Sequence, residues 1–233
     1  MDDKTVVITG ANGQVGRALQ KVYPQALALD REQLDITNQK AINEFNWDNT
    51  KVIINAAAWT DVDGAENPSN YDLVKAVNVD ATRHLAKAAS QHDLTFVTFS
   101  SDYVFDGSQP IHNEDETFSP LNIYGKTKAD GDLAAATTIK HYIIRTSWVI
   151  GDGRNFVNIM QDLAARGVKP SVVNDQIGRL TFTDTLARGI KHLLEIGAPY
   201  GTYNLTNEGQ PVSWADIAKI VFEKSGKSPS DVQ

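Results

Sequence analysis

Tyr124-Gly125-Lys126-Thr127-Lys128 sets a phenol and an ammonium four residues apart, which on a helix means one face. A phenol of pKa about 10 is protonated at neutral pH. A fixed positive neighbour lowers that value, so that the hydroxyl becomes a readier proton donor and its phenolate a tolerable product. Carbonyl reduction has this requirement: as hydride reaches the carbonyl carbon, charge builds on oxygen, and a Tyr hydroxyl beside a Lys ammonium neutralises it. A Tyr-x-x-x-Lys pair also occurs on ordinary solvated helix faces, so its position must decide. It follows an apolar, strand-like run from Leu94 to Phe99. Ser100-Ser101 stands just past that run, where the Ser101 hydroxyl either reaches the same carbonyl oxygen or caps local backbone.

A second group of residues supplies a place for the hydride donor. Thr5-Val6-Val7-Ile8-Thr9 is a β-branched run that breaks at Gly10. The chain then crosses Gly13 and Gly16 at three-residue spacing and continues as the helical pattern Val15, Ala18, Leu19, Val22. Glycines allow the tight turn, and they let backbone approach a pyrophosphate that the helix N-terminus would face. Asp30, twenty positions after Gly10 and at the end of Ala26-Leu27-Ala28-Leu29, is placed to bind ribose hydroxyls. That favours NADH, whereas Arg31 beside it suits the 2′-phosphate of NADPH, so both cofactors are expected to bind.

The elements between these groups alternate. Lys51 to Asn55 reads as a buried strand leading to Asn55-Ala56-Ala57-Ala58, small residues against which a flat ligand can lie. Trp59 to Asn70 reads as a loop, Tyr71 to Ala89 as one long helix, Tyr124 to Ala136 as a helix and Tyr142 to Arg145 as a fifth strand. Strands alternating with helices of this length imply parallel βαβ units and an α/β doubly wound sheet. Beyond Thr146 the rhythm changes. Helices from Phe156, from Thr183 to Ile196 and from Trp214 to Lys224, capped by Ser213, alternate with short strands at Ser171 to Val173 and Thr202 to Leu205. The expected division is a dinucleotide-binding domain over residues 1–147, with 181–205 packing back onto it. Residues 148–180 and 206–233 then form a smaller, interleaved lobe.

Composition narrows the function classes. The 233 residues are 41% hydrophobic and 22% charged, enough for a sizeable core, and no apolar stretch approaches a membrane span. A net charge of −7 argues against a general nucleic-acid binder. The five histidines show no metal-ligand spacing, so no metal site is expected from them. With no cysteine in the chain, a cytoplasmic location is the default expectation.

Together Thr9-Gly10-Ala11-Asn12-Gly13-Gln14-Val15-Gly16, Asn55-Ala56-Ala57-Ala58, Ser101, Tyr124 and Lys128 resemble the extended short-chain dehydrogenase/reductases, enzymes of the Rossmann type. Longer segments resemble, more narrowly, the dTDP-4-dehydrorhamnose reductase family. These include Thr60-Asp61-Val62-Asp63-Gly64-Ala65-Glu66, Ser101-Asp102-Tyr103-Val104-Phe105-Asp106-Gly107, Arg145-Thr146-Ser147-Trp148-Val149 and Asp175-Gln176-Ile177-Gly178. The resemblance implies hydride delivery from NADPH or NADH to C4 of a 4-keto-6-deoxy sugar on dTDP. It implies Ser101 and Tyr124 at the keto oxygen, Lys128 on the nicotinamide ribose, and a sugar pocket lined by Thr60, Val62, Asp102, Tyr103 and Trp148. It also implies Gly10, Asn12, Gly13, Gln14, Val15, Gly16, Ala57 and Ala58 around the cofactor, with Asp35 and Ile36 beside its adenosine. Mg2+ and a homodimer are further implications. The family's usual Ser-Thr-Asp-Tyr is Ser100-Ser101-Asp102-Tyr103 here, and Leu180 stands where a proline is expected. The family's later Arg-Pro-x-Asn-Ser segment has no counterpart before Gln233, so a partial substrate lobe is expected. Rival readings are a nucleotide-sugar dehydratase or epimerase and a catalytically silent dinucleotide-binding regulator. The absence of a glutamate after Asp102 weighs against a dehydratase.

Overall fold

A computed structural model describes residues 2–233. In chain order it runs β1 (Val6–Thr9), α1 (Gln14–Val22), β2 (Leu27–Leu29), α2 (Gln39–Glu44), β3 (Val52–Asn55) and α3 (Val62–Ala65). Then come α4 (Tyr71–Lys75), α5 (Ala81–Gln91), β4 (Thr95–Ser101), α6 (Ile123–Ala135), β5 (His141–Thr146) and β6 (Val149–Ile150). The remainder is α7 (Phe156–Ala165), β7 (Ile177–Gly178), β8 (Thr181–Phe182), α8 (Thr183–Ile196), β9 (Gly201–Asn204), β10 (Val212–Ser213) and α9 (Trp214–Lys224). Six strands form one parallel sheet in the order β2-β1-β3-β4-β5-β9. The order reverses between β1 and β3, and in such sheets the crevice at the strands' carboxyl ends lies there.

Strand periodicity divides the core. Val7, Ile53, Phe96 and Ile143 point to one face and pack with Ile42 of α2 and Leu85 of α5. Their chain neighbours Val6, Ile8, Val52, Ile54, Val97 and Ile144 point to the other face, against Leu19 of α1 and Leu186 and Ile190 of α8. With both faces covered, the strands are apolar along their length, as parallel strands must be. The carboxyl ends turn polar: the Thr9 hydroxyl donates to Asn55 Oδ1 at 2.8 Å inside the sheet.

Several elements differ from the sequence expectation, each for a local reason. The long helix after Tyr71 is continuous but contains a π-helical turn at Ala76–Asp80. That turn brings Asn78 inward, where Oδ1 accepts from the Trp59 N–H at 2.9 Å and Nδ2 donates to Thr127 Oγ1 at 3.2 Å. The stretch Trp59 to Asn70, expected as a loop, contains α3, capped by Asp61, and a 3-10 turn at Pro68–Asn70. Ser171 to Val173 is not a strand. Its backbone instead bonds the end of the chain and α9, through Val172 N–H to Gln233 O and Ala215 N–H to Val173 O.

Past β5 the chain builds a second core from Met160 and Ala164 of α7, Ile217, Ala218, Val221 and Phe222 of α9, and Val232. Among the described residues, only the two-residue strand pairs β6 with β8 and β7 with β10 accompany it. Among the described residues no helix is long and apolar enough to cross a membrane.

Candidate active site

The first βα turn is shaped by its contacts with the chain beyond β3. Gly10 has φ +72°, and a Cβ there would lie 2.5 Å from Ala57 N. Glycine is therefore needed to seat this turn against Ala56-Ala57, a packing requirement additional to any ligand. Gly13 is the N-cap of α1, and with no side chain capping it the first-turn N–H groups, those of Gln14 and Val15 among them, face out of the helix. The Asn12 side chain donates to Asp30 Oδ2 at 3.2 Å, so turn and acid adjoin. Asp30 Oδ1 is engaged by the N–H groups of Glu32 and Gln33. Arg31 is exposed and lies 3.6 Å from Asp35, whose carboxylate is held below its ordinary range first by the Thr37 hydroxyl. Ile36 is buried with Leu34 and Ile42 in the sheet's core.

Gln14 serves a purpose the motif did not announce. Its Oε1 accepts from the Gly151 N–H at 2.9 Å, and Arg17 on the same helix donates to the carbonyls of Asn12 and Asp152. The glycine turn is thereby clasped to the segment that opens the second core. No sequence signal short of the Gly-Asp-Gly at 151–153 points to this.

Tyr124 is positioned from three sides. Asn122 caps α6 through the Gly125 N–H at 2.7 Å, and Glu66 Oε1 accepts from the Ile123 N–H at 2.6 Å. A Cβ at Gly125 would lie 2.2 Å from Tyr103 O, so glycine there lets the 3-10 turn Asp102–Val104 rest directly on the helix. The rings of Tyr103 and Tyr124 meet edge to face, with centroids 5.6 Å apart. Ser101 ends β4; its hydroxyl donates to Asp102 Oδ1 at 3.0 Å and accepts from the Tyr103 N–H at 3.2 Å. Of the two roles expected for this serine the cap is observed, and its hydroxyl also stands beside Tyr124.

The electrostatics correct one expectation. The Tyr124 phenol is pushed up from its ordinary range, chiefly by burial, with Ser101 acting the other way and Asp102, Tyr103 and Asp132 adding to the rise. The anticipated lowering by Lys128 is not what the geometry gives. Lys128 is 7% exposed and aims its ammonium at Phe99 O, 2.6 Å away. Burial lowers the Lys128 pKa, opposed by Asp132, and burial pushes Asp102 up to about 6. The phenol is therefore firmly protonated at neutral pH, which is the form a proton donor needs.

Of the other residues singled out in the sequence, Thr60 is exposed, Val62 begins α3, and Ala57 and Ala58 are partly buried beside the glycine turn. Trp148 belongs to the second core. At φ +38°, it stacks on Trp214 with centroids 3.7 Å apart, and Phe156 packs against that same ring. Trp214 was read only as a helix residue; stacking across 66 positions leaves no local sequence signal. Among the described residues no group of three or more His, Asp or Glu converges as a metal site.

A doubly wound sheet with its polar chemistry gathered beyond β1, β3 and β4, and a Ser, a Tyr and a Lys meeting at the end of β4, has the architecture of the extended short-chain dehydrogenase/reductases. Residues 4–233 match the RmlD substrate binding domain, and the chain belongs to the dTDP-4-dehydrorhamnose reductase family. It is 40% identical to the dTDP-4-dehydrorhamnose reductase of Aggregatibacter actinomycetemcomitans, over 94% of this chain and 79% of that protein. A crystal structure of a dTDP-4-dehydrorhamnose reductase from Clostridium acetobutylicum superposes with a TM-score of 0.89 at 38% identity, covering 98% of this chain and 81% of the other. The Bacillus anthracis enzyme, solved in complex with NADP, gives 0.88 at 36% identity, covering 98% and 82%.

Proposed function

We propose that the chain reduces the C4 keto group of dTDP-4-dehydro-6-deoxy-L-mannose to the hydroxyl of dTDP-L-rhamnose, using NADPH or NADH. The observation that carries this is the half-buried Tyr124 phenol beside Ser101 at the end of β4, with Lys128 one helical turn further on. The glycine turn fits a dinucleotide: Gly10 to Gly16 and the open end of α1 would hold the pyrophosphate, Asp30 and Arg31 the adenosine ribose, and Lys128 the nicotinamide ribose. The bound nicotinamide supplies the hydride. Tyr124 supplies the proton to the new alkoxide, Ser101 donates a second hydrogen bond to that oxygen, and the phenolate is reprotonated from solvent. One carbonyl becomes one alcohol, and the dihydronicotinamide is oxidised.

In this reading residues 1–147 and 181–205 bind the cofactor, while 148–180 and 206–233, with Thr60, Val62, Asp102, Tyr103 and Trp148, receive the sugar. The reading adds a cytoplasmic location and a homodimer. Mg2+ is implied by the family resemblance alone, and no step of this reading passes through it.

The test is cofactor oxidation followed by absorbance with the dTDP-4-keto sugar as substrate. Turnover with either cofactor, within about a hundredfold or some 2.7 kcal/mol of each other, is expected. Tight cofactor binding without turnover, in this chain and in one extended to the full length of its relatives, overturns the reading.

A further inference from the structure

Three successive turns of α6 carry Tyr124, Lys128 and Asp132 at four-residue spacing, hence on one face. The first two are accounted for by the proposed reduction, whereas the third is a carboxylate only 3% exposed. Its Oδ2 accepts from Arg145 Nε at 2.9 Å. Arg145 is itself 5% exposed and lies on β5; it donates through Nη1 to Glu114 O at 2.9 Å and sits between the rings of Phe105 and Phe118, at 5.3 and 4.9 Å. Arg145 is thus held by a carbonyl and two aromatic faces as well as by Asp132, and it clamps the carboxylate from the sheet side. Lys128, buried and bonded to Phe99 O, is the other cation on this helix face, one turn before the carboxylate.

The charged and titratable surroundings are otherwise sparse. The turn after β4 contributes Asp102 and Tyr103, and β4 itself only the Phe99 carbonyl and the Ser100 and Ser101 hydroxyls. In the loop to α6, His112 is paired with Glu116 at 2.9 Å. The helical run from Tyr71 to Gln91 faces α6 with the uncharged Asn78 and Thr82, while its Arg83 is paired with Asp80 and its His84 lies near Ile36 O. On the α3 side, Glu66 is bound to the Ile123 N–H. The countercharge for a buried Lys128 ammonium therefore comes from its own helix, one turn on.

We propose that Asp132, clamped by Arg145, is a positioning residue for Lys128, supplying the countercharge that keeps its ammonium charged and directed across the end of β4. An ammonium removed from water reverts to the neutral amine unless an opposite charge compensates it. A neutral Lys128 would lose the charged donor that the proposed reading sets on the nicotinamide ribose. Arg145 fixes the carboxylate so that the compensation stays at one place. The kinetic consequence rests on the reductase reading; the protonation of Lys128 does not.

The decisive measurement is the titration of Lys128 in protein carrying 13C-labelled lysine, with the resonance assigned by its loss in Lys128→Arg. In Asp132→Asn, which keeps shape and hydrogen bonding but removes charge, the Lys128 midpoint should fall by about one pH unit or more; Asp132→Glu should restore most of it. In turnover assays the basic limb of kcat/KM should move to lower pH by a similar amount in Asp132→Asn. An unchanged Lys128 midpoint in Asp132→Asn overturns the proposal, since a merely structural ion pair would lower thermal stability and leave that titration in place. Should Asp132→Asn not fold, the unaltered protein decides: the proposal requires Lys128 to remain charged through about pH 8, and a midpoint below that refutes it. Failure to turn over any sugar would remove the reductase reading and leave the titration result standing.

Discussion

The two halves of this molecule hold their functional side chains by different means. In the sheet half, Ser101, Tyr124 and Lys128 are fixed by parallel register, by a capped helix and by glycines that let backbone meet backbone. In the smaller half, Trp148 lies just before the two-residue strand β6 at a positive φ, stacked on Trp214. Backbone hydrogen bonds tolerate little displacement, whereas an aromatic stack can slide. Under the proposed function, reaction geometry would belong to the rigid half and adaptation to the ligand to the softer one.

The largest separation of the two halves comes from Tyr124→Phe. Removing one oxygen deletes the proton donor without disturbing the turn at Gly10, so turnover should fall by about 10²–10⁴-fold. Cofactor affinity, measured by nicotinamide fluorescence, should be nearly unchanged. Equal loss of both would mean that Tyr124 supports the cofactor site instead of the carbonyl. Next in size is a pair of glycines in the same turn. Gly10→Ala forces a Cβ into the backbone at Ala57 and a side chain onto φ +72°, and should cost about 2–4 kcal/mol of stability. At Gly13 a Cβ would meet Gly10 O at 3.2 Å with φ −72°. Gly13→Ala, which needs Gly10 O to give by only a few tenths of an ångström, should therefore fold and weaken NADPH binding by about tenfold by shifting the turn proposed to face the pyrophosphate. Calorimetric melting with cofactor titration distinguishes them, and similar behaviour of the two alanine variants would show that the turn has no scaffolding and ligand-facing sides.

How far the sequence could reach follows the same division. β1, α1, α6, α8 and α9 were legible because period-3.6 stripes, caps such as Ser213 and turn glycines are local signals. The Tyr124, Lys128 and Ser101 cluster was legible because two of its members lie on one helix and the third ends the preceding strand. The π turn at Ala76–Asp80 was not, since it answers to Trp59 and Thr127, which lie far along the chain. The direction of the Tyr124 shift was misjudged for a related reason. Spacing shows that Lys128 is a neighbour, but only packing shows that its ammonium points at Phe99 O and that the phenol is partly withdrawn from water.

Trp214→Ala tests the softer half directly. It removes the plate on which Trp148 and Phe156 rest, and for a partly buried indole should cost about 1–3 kcal/mol. If Trp148 contacts the sugar, KM for the dTDP-sugar should rise about tenfold with cofactor affinity unaltered. Trp214→Phe should recover most of both. A matching drop in cofactor affinity would mean that the Gln14 to Gly151 clasp transmits strain between the halves, and that they are less independent than their construction suggests.

The smallest effect is a pH dependence seated in the rigid half. Burial holds Asp102 up at about 6, against about 3.9 for an unfolded aspartate. Between those values the folded chain binds a proton that the unfolded chain does not, so stability declines as pH rises through this window, and the penalty is complete above about pH 6. Because Asp102 is only partly buried, solvent screening reduces the penalty to about 1 kcal/mol. Asp102→Asn should therefore raise Tm by about 2–4 °C at pH 7.5 and by almost nothing at pH 4. An equal gain at both pH values would trace the effect to packing and not to charge. The predicted pattern would mean that the end of β4 retains a carboxylate at a standing cost in stability. Such a cost is expected where a charged group borders a site of chemistry, as the proposed function would have it here.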